Sequence, residues 1–135
     1  MGLNEDVVQQ HARIEAAKVG CILLRNNSGV LEDKNGRPVR YGLANESSKQ
    51  NESFKSSDLI GITPIVITPD MVGRTIGVFT AIEVKKEGWT FKASNKREVA
   101  QLAFINWVLK LGGIASFCSS GKDMDLIIKE FYAKF

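Results

Sequence analysis

Glu83-Val84-Lys85 closes the apolar run from Gly77 to Lys85, and it is the tripeptide whose residue types could do chemistry. The run is rich in Val, Phe, Ile and Thr and carries no charge until its end, so it predicts a buried strand. Side chains two apart on a strand leave the same face. Glu83 and Lys85 are therefore expected to project together, with Ile82 and Val84 on the opposite side. A carboxylate can hold a hard cation, and a neighbouring lysine can orient the attacking water as its ammonium or deprotonate it as the neutral amine. An isolated Glu-x-Lys is first read as a strand-end ion pair, which is common and nearly neutral in energy.

A second carboxylate takes the pair out of isolation. Asp58 opens the short apolar segment Leu59 to Ile62. Between Thr63 and Arg74 lie two prolines, an aspartate and a glycine, the residues of a turn. Two strands joined in this way are expected to pair antiparallel. Such pairing would bring Asp58 close enough to Glu83 to share a cation, whose charge would offset the repulsion between the carboxylates. Asp58 can also be read as an ordinary capping or turn residue.

A third residue is out of place. Gln101 shares a helical stripe with Phe104, Ile105 and Val108. A buried amide costs free energy unless it is hydrogen-bonded, so Gln101 faces either a polar pocket or solvent.

The elements that must position these residues follow from periodicity and breakers. Residues 4–18 read as a helix with Asn4 as cap, Glu5 in its first turn and Gly20 ending it. Cys21 to Leu24 reads as a strand, and Val30 to Leu43 as a hairpin about Asn35-Gly36, the dipeptide a type I′ turn prefers. Residues 44–57 read as a mobile polar loop. Strands are expected at 58–62 and 75–85, and a helix from Ser94 or Asn95 to Leu111. A strand from Ile114 to Cys118 and an amphipathic helix over 122–134 complete the chain.

The 135 residues suit one domain with a proper core, and 44% hydrophobic with 24% charged residues is ordinary for a globular protein. No apolar run reaches the roughly 20 residues of a membrane span. The first residues lack the pattern of a signal peptide, which points to a cytoplasmic location. Cys21 and Cys118 read as buried thiols, no Cys/His zinc pattern occurs, and the one histidine, His11, reads as incidental. The net charge of +3 is compatible with a nucleic-acid partner without establishing one. Basic residues flank the proposed site: Arg37, Arg40, Lys49 and Lys55 before Asp58, and Lys85, Lys86, Lys92, Lys96 and Arg97 after the Glu83 strand, with Trp89 and Phe91 among them.

Together, Glu5-x-x-x-Gln9, Arg25-Asn-Asn-Ser-Gly29, Ser57-Asp58-Leu-Ile-Gly61, Phe79 to Lys85, Arg97-Glu-x-x-Gln101 and Gly112-Gly-Ile-Ala115 resemble the PD-(D/E)xK nuclease superfamily. More closely, the chain is similar to a stand-alone VRR-NUC (virus-type replication-repair nuclease) domain of the phage and bacterial type. The resemblance covers essentially the whole chain, and Ser57 stands where the superfamily's name has proline.

The resemblance implies an α/β (α+β) fold: a restriction-endonuclease-like αβββαβ core, a central mixed sheet flanked by helices, with a hairpin and loop insertion at about 30–57. It implies that Asp58, Glu83 and the Val84 carbonyl bind Mg²⁺ or Mn²⁺, that Lys85 orients the attacking water, and that Gln101 supports Lys85 or the scissile phosphate. Glu5 would reach the metal from the first helix, as in archaeal-type Holliday junction resolvases; Glu15, nearer Gly20, is its rival. Arg25, Ser28, Arg37, Arg40, Lys55 and Lys86 are the candidates for DNA contact. The implied activity is metal-dependent cleavage of branched DNA, symmetric in the manner of a junction resolvase, by a homodimer. A less discriminating nickase, a flap or end-processing nuclease, and a catalytically silent DNA-binding module are the alternatives.

Overall fold

Asn4 starts the first helix: its side-chain oxygen accepts the Val7 N–H at 3.0 Å. In this computed structural model, which describes residues 3–135, helix α1 spans Glu5–Lys18. Glu5 and Asp6 sit in the first turn and Lys18 in the last, each of the sign that the helix dipole favours there. Gly20, at φ 82°, takes the left-handed conformation that ends the helix.

The chain divides into two compact units, one ending at Thr63 and one running from Pro64 to Phe135. In the first, β1 (Ile22–Arg25) pairs antiparallel with β4 (Leu59–Ile62), with Leu23 opposite Gly61 and Arg25 opposite Leu59. A Cβ at Gly61 would overlap the Ile22 carbonyl oxygen, so only glycine fits this ladder. Strands β2 (Gly29–Glu32) and β3 (Pro38–Tyr41) form the expected hairpin. Its turn is not type I′, which needs positive φ at both central residues. Only Gly36 has it, at 75°. Asp33 organises the turn instead, its carboxylate accepting the N–H groups of Asn35 at 2.8 Å and Arg37 at 2.9 Å.

The polar stretch expected to be a loop contains helix α2 (Ser48–Ser53). Ser47 Oγ accepts the Gln50 N–H at 3.1 Å, while the Gln50 side chain accepts the Glu46 N–H at 2.8 Å. These two bonds at the start of the helix offset the weak helix preference of a short Ser/Asn-rich segment.

In the second unit, β5 (Thr80–Val84) pairs parallel with β6 (Ile114–Cys118), joined through α3 (Lys96–Lys110). Asn95 caps α3 by accepting the Glu98 N–H at 3.1 Å. Val108 is fully buried, with Ile105, Ile114 and Ala115 buried in the same core. Helix α4 (Gly121–Tyr132) starts at Ser120, whose hydroxyl accepts the Asp123 N–H. Asp123 in turn accepts the backbone N–H and hydroxyl of Ser119, and these bonds hold its carboxyl below the ordinary aspartate value.

The architecture is mixed α+β. Three further sequence expectations change. The strand at 80–84 is shorter than the apolar run from residue 75, and it is half-buried at Ala81, Ile82 and Glu83 and exposed at both ends rather than fully buried. Among the described residues the ladders are three two-stranded sheets rather than one central sheet. The strand after Asp58 finds its partner in β1, and the Glu83 strand finds its partner in β6, so the expected antiparallel pairing of these two with each other does not form. A parallel partner requires a long crossover, which α3 supplies. No helix among the described residues is long and apolar enough to cross a membrane.

Candidate functional site

The predicted residues fall into two groups, one in each unit. The more organised group lies at the end of β5. The parallel register sets Glu83 beside Phe117, and the Lys85 N–H donates to the Cys118 carbonyl at 2.8 Å, one step beyond the ladder. Main chain at both Glu83 and Lys85 is thereby fixed.

Their side chains do not form an ion pair. The salt bridges among the described residues are Lys18–Glu15 and Lys129–Asp125. The Gln101 amide stands between Glu83 and Lys85: its Nε2 donates to Glu83 Oε1 at 2.8 Å, and its Oε1 accepts from Lys85 Nζ at 2.8 Å. Gln101 comes from the second turn of α3 and is half-buried, as are Glu83 and Lys85. Of the two readings of Gln101, the polar pocket is therefore the observed one. The amide's two ends match a carboxylate and an ammonium, and both bonds are charge-assisted.

Glu83, Gln101 and Arg97 line one cavity of ≈ 370 Å³ whose floor includes Ala81, Phe104 and Ile105. In the sequence Arg97 belongs to the basic cluster and opens Arg97-Glu-x-x-Gln101, with no role of its own assigned. Its place one helical turn before Gln101, at i−4, is the signal that could have found it. Lys85 Nζ also lies 5.5 Å from the centroid of Trp89 and 5.7 Å from that of Phe117.

The second group lies in the first unit. Glu5 and Asp58 line one cavity of ≈ 380 Å³ with Val8, Gln9 and Ala12. Glu15 instead pairs with Lys18 at 2.6 Å on the exposed face of α1. The main chain at Asp58 is held by Asn26, which sequence reasoning passed over. The Asn26 N–H donates to the Asp58 carbonyl at 2.8 Å, and its side-chain Nδ2 donates to the Ser57 carbonyl at 2.8 Å.

The candidate DNA contacts are unequal. Arg25, Ser28, Arg37 and Lys86 are exposed, and Lys55 donates to Asn51 at 2.6 Å. Arg40 is not a free cation: its Nε and Nη2 donate to Asn45 Oδ1 at 3.2 and 2.8 Å. Asn45 is 3% exposed and donates onward to the carbonyls of Gly29 and Tyr41, so Arg40 belongs to the packing of the hairpin.

The donors available are oxygens, the kind that Mg²⁺ or Mn²⁺ prefers over softer ligands. Within neither unit do three His, Cys, Asp or Glu side chains converge as a metal cage among the described residues. The fit is thus one of donor chemistry: Glu83 and the Val84 carbonyl in one unit, Glu5 and Asp58 in the other.

Comparison of the chain with protein-family models, with curated proteins and with solved structures finds no match.

Proposed function

We propose that this chain is a Mg²⁺- or Mn²⁺-dependent DNA endonuclease that hydrolyses phosphodiester bonds, with branched or junction DNA as its preferred substrate. The single observation carrying this reading is the Glu83–Gln101–Lys85 arrangement, in which one neutral amide orients an acid and a base without letting them neutralise each other. The element order is compatible with a restriction-endonuclease-like core, which is the finer fold this reading requires.

In the proposed chemistry Glu83 and the Val84 carbonyl are ligands of the cation, and Asp58 and Glu5 are the carboxylates that the first unit offers to the same class of ion. A bound divalent cation would supply charge neutralisation and a more acidic water. The chain's own part is electrostatic. Gln101 holds Lys85 with its ammonium toward the side on which Glu83 emerges. An ammonium has three donors and Gln101 takes one, so Lys85 keeps capacity to stabilise charge developing on phosphate oxygen. Arg97, in the same cavity as Glu83 and Gln101, is a second cation for a phosphate.

Resolution of a four-way junction needs two sites related by two-fold symmetry, so the proposal includes a homodimer. The deciding experiment is cleavage of labelled four-way junction, flap, splayed-arm and linear duplex DNA, side by side, with Mg²⁺, Mn²⁺ or chelator. Metal-dependent cutting that favours the junction is expected. Binding without cutting in either metal would replace the enzyme with a silent DNA-binding module. Sedimentation at micromolar concentration tests the dimer; a monomer that cuts junction and duplex alike would favour a nickase.

A further inference from the structure

We infer that Trp89 is a positioning residue for Lys85, holding the ammonium against the Gln101 amide through the face of its indole ring. The catalytic meaning of this rests on the nuclease reading; the positioning itself does not. The argument starts with the turn after β5. Lys86, Glu87, Gly88 and Trp89 form a four-residue turn closed by the Trp89 N–H donating to the Lys86 carbonyl at 3.2 Å. Gly88 is its third residue, with φ 81°, the value a type II turn demands there. The turn reverses the chain directly after Lys85 and returns Trp89 to it.

Trp89 then packs on Phe117, with ring centroids 4.6 Å apart and planes tilted by 43°. Phe117 is the register partner of Glu83, so it leaves the β5/β6 pair on the face that carries Glu83. The Lys85 ammonium lies 5.5 Å from the Trp89 centroid and 5.7 Å from that of Phe117. Both are inside the roughly 6 Å over which an aromatic face attracts a cation, and tryptophan is the strongest partner. An aromatic pair that only filled core would not have a charged group lodged against both rings.

The chemistry of the two restraints differs in a useful way. Gln101 consumes a donor of the ammonium. The rings attract its charge without accepting a conventional hydrogen bond, so they fix Lys85 and leave its remaining donors for an oxyanion. A long, flexible lysine loses conformational entropy when it is held in one geometry. If the rings hold it in advance, the loss does not fall on the reaction step.

The test uses the full chain with isotope-labelled lysine, the Lys85 ε-methylene signal being assigned by its absence in Lys85→Arg. In the wild type the ring currents should displace this signal upfield of the other lysines. Trp89→Phe, which keeps a ring, should retain most of the displacement, and Trp89→Leu should move the signal toward the exposed-lysine position. In junction cleavage Trp89→Leu should lower kcat roughly three- to tenfold with KM little changed, and Trp89→Phe should stay within about twofold of wild type. Should Trp89→Leu fail to fold, Gly88→Val provides the second route. Gly88 has open space around it, but its positive φ disfavours a β-branched residue, so the turn that returns Trp89 should loosen. A Lys85 signal undisplaced in the wild type, or unmoved in the folded variant, overturns the inference. So does an equal loss of kcat in Trp89→Phe and Trp89→Leu. A wild type that shows the displaced signal but cuts no DNA would uphold the positioning and sink the nuclease reading instead.

Discussion

The amide of Gln101 donates to the carboxylate of Glu83 at 2.8 Å, joining the second turn of α3 to the end of β5. This bond makes the helix responsible for where the acid points. Gln101→Leu, close in volume, should therefore act on orientation rather than packing. It should slow metal-dependent cleavage roughly tenfold while costing about 1.5–3 kcal/mol of stability, the range for hydrogen bonds to charged groups. Single-turnover rates and urea melts of the same preparation check both numbers; unchanged turnover would show that the amide has no part in the chemistry.

Removing charge at Glu83 should be more severe. Glu83→Gln is nearly isosteric and leaves an oxygen able to accept from Gln101, so the fold should persist. Cleavage should fall by roughly 10²-fold or more, the scale for losing an electrostatic group in an active site. Asp58→Asn should behave alike, and Lys85→Ala should lose turnover while still binding metal. Near wild-type turnover in Glu83→Gln or Asp58→Asn would sink the assignment.

Glu5 and Glu15 offer a comparison within one helix. Glu5 shares a cavity with Asp58, whereas Glu15 is spent on an exposed pair with Lys18. Exposed pairs contribute about 0–1 kcal/mol, so Glu15→Ala should be silent in both stability and rate. Glu5→Ala should reduce the Mn²⁺-dependent rate. The reverse pattern would show that the wrong carboxylate of α1 has been chosen.

Arg40 should affect folding more than DNA binding. Its guanidinium and the carbonyls of Gly29 and Tyr41 all meet at buried Asn45. Asn45→Ala removes the side-chain partner of all three, leaving Arg40 only the main-chain carbonyl of residue 45 at 3.2 Å, and should cost about 1–3 kcal/mol. Arg40→Gln should likewise lower the denaturation midpoint, with the salt dependence of DNA binding unaltered. A salt slope smaller by about one would instead mean that Arg40 contacts a phosphate.

Asp123 gives the pH prediction. Its folded value is depressed, chiefly by the backbone N–H of Ser119, so its stabilisation is present above the unfolded pKa and is lost as pH falls through the folded one. Asp123→Asn should flatten the acidic side of the stability curve and leave the neutral-to-basic side parallel to wild type. Denaturation midpoints across the acidic range test this; parallel curves throughout would refute it.

What the sequence made legible was mostly local. Asn4 and Asn95 announce helices because a cap satisfies donors within three residues, and Gly20 marks its helix end by backbone freedom alone. Helix α2 carried the same kind of signal in Ser47 and Gln50, obscured by a composition typical of loops. Strand partners were not legible. Whether β5 pairs with β4 or β6 depends on contacts far apart in sequence, and the apolar run at 75–85 looks alike in either case. Gln101 was visible as an anomaly, since an amide on an apolar stripe needs a partner. Asn26, inside Arg25-Asn-Asn-Ser-Gly29, and Trp89, among the basic residues, carried no role in the sequence, because one acts on main-chain carbonyls and the other through a ring face that no spacing rule exposes.

The parallel pairing of β5 with β6 has a consequence for synthesis. Glu83 and Lys85 are made early in the second unit, yet the strand that fixes them ends at Cys118, and the amide between them sits on the intervening helix. A ribosome-bound chain that has exposed only β5 carries the acid and the base with nothing to hold them. They become organised only when the whole crossover has emerged and closed, a long-range step and hence a slow one. A half-made chain is thus expected to be chemically inert.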